Sequence, residues 1–323
     1  MDTTVLITGG AGFIGSHLIR QILHSQPTWK VRSFDLLNRN AEQSRLDDVI
    51  TSERLEVWQG DVADRWAVRQ ALRDVRYVIH LAGEQSTDQA EVGNNTPVRT
   101  NILGICTLLD AAREFHVEGF THVSTSAIFP FRDEPYGEYD PPAPNTLYTA
   151  TRASAEWLSL ACRAEHDLPI CIVRPSCVYG PWQLPSQVFP WLCWQLLHDR
   201  QTLFPVNVCQ QLLHIEDCCA GILAALVNGR PGSIYHLAGL DEADGVGLAD
   251  LIAKCLGKPS RAHLTANAKQ GCLLLDSRET EDSLEWYPAV PLEDGIEQTV
   301  RWYADHREWL HRQWKRLYYS TDR

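Results

Sequence analysis

The chain has 323 residues, 44% hydrophobic and 22% charged, enough to bury a large core and too apolar for a disordered protein. Its 41 acidic residues against 29 basic ones leave a formal charge of -12, which argues against nucleic acid or an anionic membrane as a partner. No run approaches the roughly 18 apolar residues that span a membrane, and ten scattered cysteines without C-x-x-C spacing argue for reduced, mostly buried thiols, with no metal site and no disulfide framework.

The N-terminus, MDTTVLITGG, opens on a strand with no secretory leader, so a cytoplasmic protein is expected. VLITGGAGFIGSHLIRQIL then reads as strand, glycine turn and helix, with Gly9, Gly12 and Gly15 spaced three apart. Glycines permit the tight turn and let backbone N–H groups approach a pyrophosphate at the helix N-terminus, the pattern of a dinucleotide site. The next strand, VRSFD, ends on Asp35, whose carboxylate would accept hydrogen bonds from ribose hydroxyls and repel a 2′-phosphate. NAD is therefore favoured over NADP, which Arg39 nearby keeps open; the alternative is that Asp35 merely caps a turn.

Further strands follow at LEVWQGD, YVIHLAG, FTHVSTS, ICIVRP and SIYHLAG, separated by helical patterns such as NILGICTLLDAAREF, where Ile102, Ile105, Leu109 and Ala112 repeat at helical spacing. This alternation predicts an α/β fold, a Rossmann doubly wound parallel sheet covered on both faces. From Tyr179 the pattern loosens through GPWQLPSQVFPWLCWQLL, and it loosens again after Gly239 before a helical EDGIEQTVRWYADHREWL. The basic run HRQWKR near the end reads as the solvated face of a helix. A smaller, discontinuous C-terminal substrate domain is expected, with 1–175 and 214–238 in the cofactor domain and 176–213 and 239–323 in the substrate domain.

TGGAGFIG, GDVAD, HLAG, TNILGICTLLDAA, HVSTSAIFP, YTATR, IVRPSCVYGP, LLHIEDCCAGILAAL and LEWYPAVPLEDGIEQTVRWY occur in an order and spacing that resemble the extended short-chain dehydrogenase/reductase family, which holds the nucleotide-sugar epimerases and dehydratases. The resemblance runs nearly end to end. It implies that Gly9, Gly12, Phe13, Ile14, Gly15 and Asp35 hold NAD, that Asp61 and Val62 flank its adenine, and that Leu81, Ala82 and Gly83 run beneath it, with Pro175 and Val178 completing the cofactor site. It puts Thr125 on the catalytic Ser/Thr, Tyr148 on the catalytic tyrosine and Arg152 where the family has lysine. Glu84, Thr125, Ser126, Cys177 and Gln210 fall at substrate positions, and a homodimer through the helices around Asn101–Phe115 and Thr149–Glu165 is implied.

Arg152 is a departure from the family's Y-x-x-x-K. A free phenol has a pKa of roughly 10, so a tyrosine working as a base near neutrality needs help of about 4 kcal/mol. A unit charge at about 4 Å in an effective dielectric near 20 supplies that order of energy, and arginine is never deprotonated. A planar guanidinium nevertheless places its donors differently from the lysine ammonium that reaches the nicotinamide ribose. An active pair, a cofactor holder with little turnover and a plain helix pair all remain open.

Dehydratases of the family carry an acid just after the catalytic threonine, and here Ser126 and Ala127 follow it, so dehydration is disfavoured. Ala127 likewise replaces the cysteine of double epimerases. What remains is an NAD-dependent epimerase or dehydrogenase/reductase acting on a secondary alcohol of a sugar, most simply a nucleotide sugar. Gln210 stands in place of the diphosphate-binding arginine and Cys177 in place of a substrate-binding asparagine, which leaves room for a substrate lacking the diphosphate. An NAD-binding regulatory or sensor protein is the other alternative. By the same resemblance His80 is structural. His214 reads as packing where the two domains meet, and the tryptophans from Trp182 to Trp194 line a pocket or, more simply, pack a core.

Overall fold

The computed structural model describes residues 3–38, 41, 43–84 and 96–319, so Arg39 lies outside the described residues. β1 (Thr3–Thr8), β2 (Trp29–Asp35), β3 (Leu55–Gln59), β4 (Tyr77–His80), β5 (Gly119–Val123), β6 (Ile170–Pro175) and β9 (Ile234–Leu237) form one sheet in the order β3-β2-β1-β4-β5-β6-β9. All of its pairings are parallel. β-branched and aliphatic runs such as VLI and ICIV suit strands covered on both faces. Each helical crossover buries one stripe: α1 (Phe13–Ser25) turns Leu18, Ile19, Ile22 and Leu23 inward, and α4 (Gly104–Glu114) does so with Ile105, Leu108, Leu109 and Ala112. Strand order reverses between β1 and β4, which opens the crevice at their carboxyl ends where ligands of such sheets bind.

After β6 the chain builds a second sheet. β8 (Thr202–His214) pairs with β7 (Cys177–Tyr179), β10 (Glu242–Ala243) and β11 (Ala262–Leu273). The chain returns to the first sheet through α7 (Ile215–Asn228) and β9, as the SIYHLAG run suggests. The long strands β8 and β11 are not apparent in the sequence, and in β8 polar residues serve as fasteners. Asn207 holds Asp244 and the Gly245 amide at the start of α8 (Gly245–Cys255), and Gln211 exchanges two hydrogen bonds with the backbone of Leu275. Helices α6 (Val188–Leu197), α8, α10 (Leu292–Asp305) and α11 (Arg307–Tyr318) close a separate apolar cluster on this sheet. Trp182, Trp191 and Trp194 belong to it, Trp182 packing against Trp302 and Trp309, so these tryptophans are core.

Thiol burial is less complete than expected. All ten cysteines are free, but only Cys171, Cys193, Cys218 and Cys219 are fully buried, because the rest lie on helix flanks and on the second sheet. HRQWKR is also only half solvated: Gln313 and Trp314 are buried while Arg312, Lys315 and Arg316 are exposed.

One polar network is sealed inside. Arg174 of β6 and Glu156 of α5 (Leu147–His166) are 2% and 1% exposed and joined by Nη2–Oε2 at 2.7 Å and two Nε contacts. Arg174 also donates to the Glu138 carbonyl and reaches His236, while Thr280 of α9 (Arg278–Leu284) donates to Glu138 and accepts from the His236 amide. Two strands, a helix and one connecting segment are thereby tied to one buried cation.

Burial keeps several histidines neutral. His17 is lowered to about 4, and His80 and His236 to about 3, each chiefly by desolvation, helped for His80 by Arg152 and for His236 by Arg174. An unfolded histidine titrates near 6.5, so below that pH the unfolded chain takes up protons that the folded one refuses. The stability these residues contribute is full above pH about 6.5 and falls as pH drops to about 4 for His17 and about 3 for His80 and His236, by roughly 1–2 kcal/mol each at pH 5. The urea midpoint should therefore drop between pH 7 and pH 5; an unchanged midpoint contradicts neutral burial.

Candidate active site

The glycine turn is built by close approach. Gly9 takes φ +73°, and a Cβ there would stand 2.9 Å from the Ala82 amide nitrogen, so the turn lies directly against the residues that follow β4. Gly12 donates to the Gly9 carbonyl at 3.0 Å, and a Cβ on Gly15 would come within 2.2 Å of that same oxygen. Gly12 caps α1 with no side-chain bond, which leaves first-turn N–H groups available to an anion. Phe13 and Ile14 sit half-buried against the first core. A backbone cradle that a single Cβ would fill, beside an uncapped helix N-terminus, fits the pyrophosphate of a dinucleotide. Gly15→Ala should weaken NAD binding at least about tenfold, or about 1.4 kcal/mol. Unaltered affinity in a calorimetric titration contradicts the cradle.

Asp35 is buried at the end of β2, where Oδ2 accepts from the Ala11 amide and Oδ1 from the Leu37 amide, both at 3.0 Å. Desolvation raises its pKa, against the pull of these amides and of Arg45. The turn-capping role is thus realised: Leu37 adopts φ +54°, and the carboxylate ties this turn to the glycine loop. Asp61 accepts from the Ala63 amide and pairs with Arg99 at 2.8 Å, while Val62 is buried against Gly104.

Beyond β4, the Thr8 hydroxyl accepts from the Ala82 amide (3.2 Å) and meets His80 Nδ1 at 2.8 Å, and Leu81 donates to the Thr8 carbonyl. His80 is therefore a structural prop, as the resemblance implies. His214 caps α7 and packs edge-on against Tyr179, between the two apolar clusters. Asn101, on the π-turn Arg99–Leu103, accepts from the Glu84 amide (2.8 Å) and donates to the Glu84 carbonyl and the Thr151 hydroxyl. It joins the loop after β4 to α5. Sequence reasoning overlooked it as a site residue; the signal was a lone amide in the otherwise apolar NILGI.

Helix α5 starts cleanly because Thr146 and Thr149 form a reciprocal capping box after PPAPN. Tyr148 stands half-buried on its first turn, and Arg152, one turn on, is buried. The Arg152 guanidinium donates to the Val123 carbonyl at the end of β5, and a Cβ on Gly83 would lie 2.7 Å from its Nη1. Its Nε is buried without a partner among the described residues. No hydrogen bond joins the Tyr148 and Arg152 side chains; the arginine braces the ends of β4 and β5 instead. Two residues past Val123, the Thr125 hydroxyl accepts from the Ala127 amide at 3.2 Å, which leaves its own proton free to donate. Ser126 is buried in the short 3-10 turn that follows.

Pro175 ends β6 beside Leu237, and Val178 on β7 packs against the first core. Cys177 is packed against the second apolar cluster, and desolvation pushes its thiol up to about 11. Gln210 is half-buried on β8 opposite Ala243 and Leu273. Cys177 is in register with Leu212, so it and Gln210 share one face of the second sheet.

The model of the family described as "NAD dependent epimerase/dehydratase family" matches residues 5–238. A dTDP-glucose 4,6-dehydratase of Actinoplanes sp. is 31% identical over 319 residues, covering 94% of this chain and 99% of the relative. A solved dTDP-glucose 4,6-dehydratase of Streptomyces venezuelae with NAD bound superimposes with TM-score 0.90 at 31% identity, covering 96% of this chain and 100% of that one. A UDP-glucuronic acid 4-epimerase variant of Bacillus cereus, in complex with NAD and a fluorinated UDP-glucuronic acid, reaches TM-score 0.86 at 25% identity, covering 94% and 100%.

Proposed function

We propose, from the premise that this chain belongs to the NAD dependent epimerase/dehydratase family, that it oxidises a secondary alcohol of a nucleotide sugar with Tyr148 as the proton acceptor. The relatives named above share position 4 of the sugar as the site of chemistry, and we take that carbon as the target. The observation that carries this reading is Arg152: its guanidinium donates to the Val123 carbonyl of β5, and its Nη1 lies where a Cβ on Gly83, after β4, would crowd it. It thereby fixes a permanent positive charge under the crevice flanked by Thr125.

NAD, when bound, supplies the hydride acceptor. The glycine turn and the N-terminus of α1 would hold its pyrophosphate, and Asp35 would offer its remaining lone pairs to the ribose hydroxyls. Thr125 would donate its free proton to the substrate oxygen and orient it, and Tyr148 would take the hydroxyl proton as the C–H bond breaks. Arg152 cannot release a proton, so its part is electrostatic: it favours anionic character at the phenol and at the substrate oxygen.

Dehydration stays disfavoured in this proposal, although the dehydratases are close in sequence. Ser126 and Ala127 offer no acid after Thr125, and the buried Glu138 is engaged by Thr280. Mass spectrometry of the product from dTDP-glucose or UDP-glucuronic acid tests this. An epimer or a keto sugar of retained carbon and oxygen count is expected, and a product lacking one water contradicts it.

We further propose that two copies associate through α4 and α5, in a reducing, cytoplasmic compartment suited to ten free cysteines. Leu103 immediately before α4, at 48% exposure, and Leu147 and Trp157 of α5, at 59% and 55%, leave large apolar side chains in water. Trp157→Glu should convert a dimer into a monomer in light scattering; an unchanged mass places the interface elsewhere.

A further inference from the structure

Arg45 stands on the short 3-10 turn Gln43–Leu46 and is 0% exposed, a guanidinium sealed inside the cofactor domain. Its place is set from α1: Arg20 donates to the Arg45 carbonyl and forks onto Asp48 at 2.8 and 2.7 Å, which fastens the turn to the helix after the glycine turn. The Arg45 side chain reaches the glycine turn itself, where Nη1 donates to the Ala11 carbonyl at 3.1 Å. The amide of the same Ala11 donates to Asp35 Oδ2 at 3.0 Å. One residue of the turn is therefore held through its carbonyl by a buried cation and through its amide by a buried carboxylate.

A buried charge is costly unless its surroundings compensate it, and Asp35 is 6% exposed. Desolvation favours its protonated form, while the Ala11 and Leu37 amides and the Arg45 charge favour the carboxylate. The other groups around it are of a different kind. β3 presents Gln59 in register, and the turn after β2 presents the Leu36 and Leu37 amides, none of which titrates. On α1, which packs against β2, His17 is lowered to about 4 by burial and so is neutral at pH 7, and Arg20 is engaged by Asp48. Tyr303, from α10, lies in the field of Arg45 and stays protonated. Among these groups Arg45 is the cation whose field reaches Asp35, and a guanidinium does not release its proton.

We propose that Arg45 is a positioning residue for the dinucleotide: its guanidinium holds the glycine turn at Ala11 and supplies the counter-charge that keeps Asp35 a carboxylate, the form able to accept from both ribose hydroxyls. This role rests on Asp35 receiving the ribose, as proposed above. NAD affinity is then lost as pH falls and Asp35 takes up a proton, and without the Arg45 charge that loss begins at higher pH.

The test is calorimetric titration of NAD into the full chain at pH 8 and pH 5. Arg45→Gln keeps an amide donor for the Ala11 carbonyl without the charge, and Arg45→Lys keeps the charge. The loss of NAD affinity between the two pH values should be at least about threefold greater in Arg45→Gln than in the native chain, and within about twofold of native in Arg45→Lys. Arg45→Met, uncharged and of similar reach, carries the same comparison if the glutamine variant does not fold. Asp35→Asn should weaken NAD at least about tenfold at pH 8, and in its background the loss on acidification should be the same with or without Arg45→Gln. The proposal is overturned if the uncharged variant loses affinity on acidification as the native chain does, if the lysine variant loses as much as the uncharged one, or if the effect of Arg45→Gln persists beside Asp35→Asn. If Asp35→Asn alone binds NAD at pH 8 as tightly as the native chain, the ribose assignment itself fails and the role of Arg45 falls with it.

Discussion

Replacing Tyr148 by phenylalanine is expected to slow hydride transfer by about a thousandfold while NAD affinity changes by less than about threefold, since positioned proton transfer contributes roughly 10²–10⁴ in rate. The hydroxyl is the only group removed, and the first turn of α5 is set by Thr146 and Thr149, so the fold should not notice. Single-turnover kinetics check the rate and calorimetry the affinity. A rate loss below about tenfold would mean that another group takes the proton. Arg152→Lys is the companion experiment: a compact ammonium cannot both donate to the Val123 carbonyl and fill the space beside Gly83 as the planar fork does. A slower lysine variant marks the arginine as an adaptation, and a faster one marks it as decay.

Glu156→Ala is expected to cost roughly 3–5 kcal/mol of stability, because it strands the Arg174 charge in a site sealed from water. Arg174 keeps the Glu138 carbonyl and His236 as neighbours, but neither supplies a counter-charge. The double variant Glu156→Leu/Arg174→Leu removes both charges and should recover a large part of that loss. Urea unfolding of the three proteins checks this, and equal stability of the single and double variants would show that the network does not act through charge. The single variant should also lose activity through misplacement of α5, even below its unfolding midpoint.

The parallel sheet was legible in the sequence because strands buried on both faces are written as continuous aliphatic runs, as in VLIT and ICIVRP, and because glycine spacing reports the turn of β1 directly. The second sheet was not, since β8 spends Asn207 and Gln211 on holding neighbouring segments and so lacks a two-residue apolar alternation. Of the proposed site residues, Gly9 and Asp35 follow from residue type and spacing, whereas Thr125 and Tyr148 come only through the family resemblance. Asn101 was not legible, because its role depends on a π-turn and on contacts with Glu84 and Thr151 that are distant in sequence. Arg152 was legible as a charge but not in its aim, which is decided by where the ends of β4 and β5 fall.

Hydride transfer to a nicotinamide held by this chain is what the proposed oxidation requires most directly. Stopped-flow absorbance of the NAD-loaded protein mixed with dTDP-glucose, UDP-glucose or UDP-glucuronic acid should show the near-ultraviolet band of reduced nicotinamide rising with at least one of them, and the band should not rise in Tyr148→Phe on the same timescale. If NAD is bound and no sugar produces the band in the native chain, the protein holds the dinucleotide without using it, and the proposed oxidation is wrong.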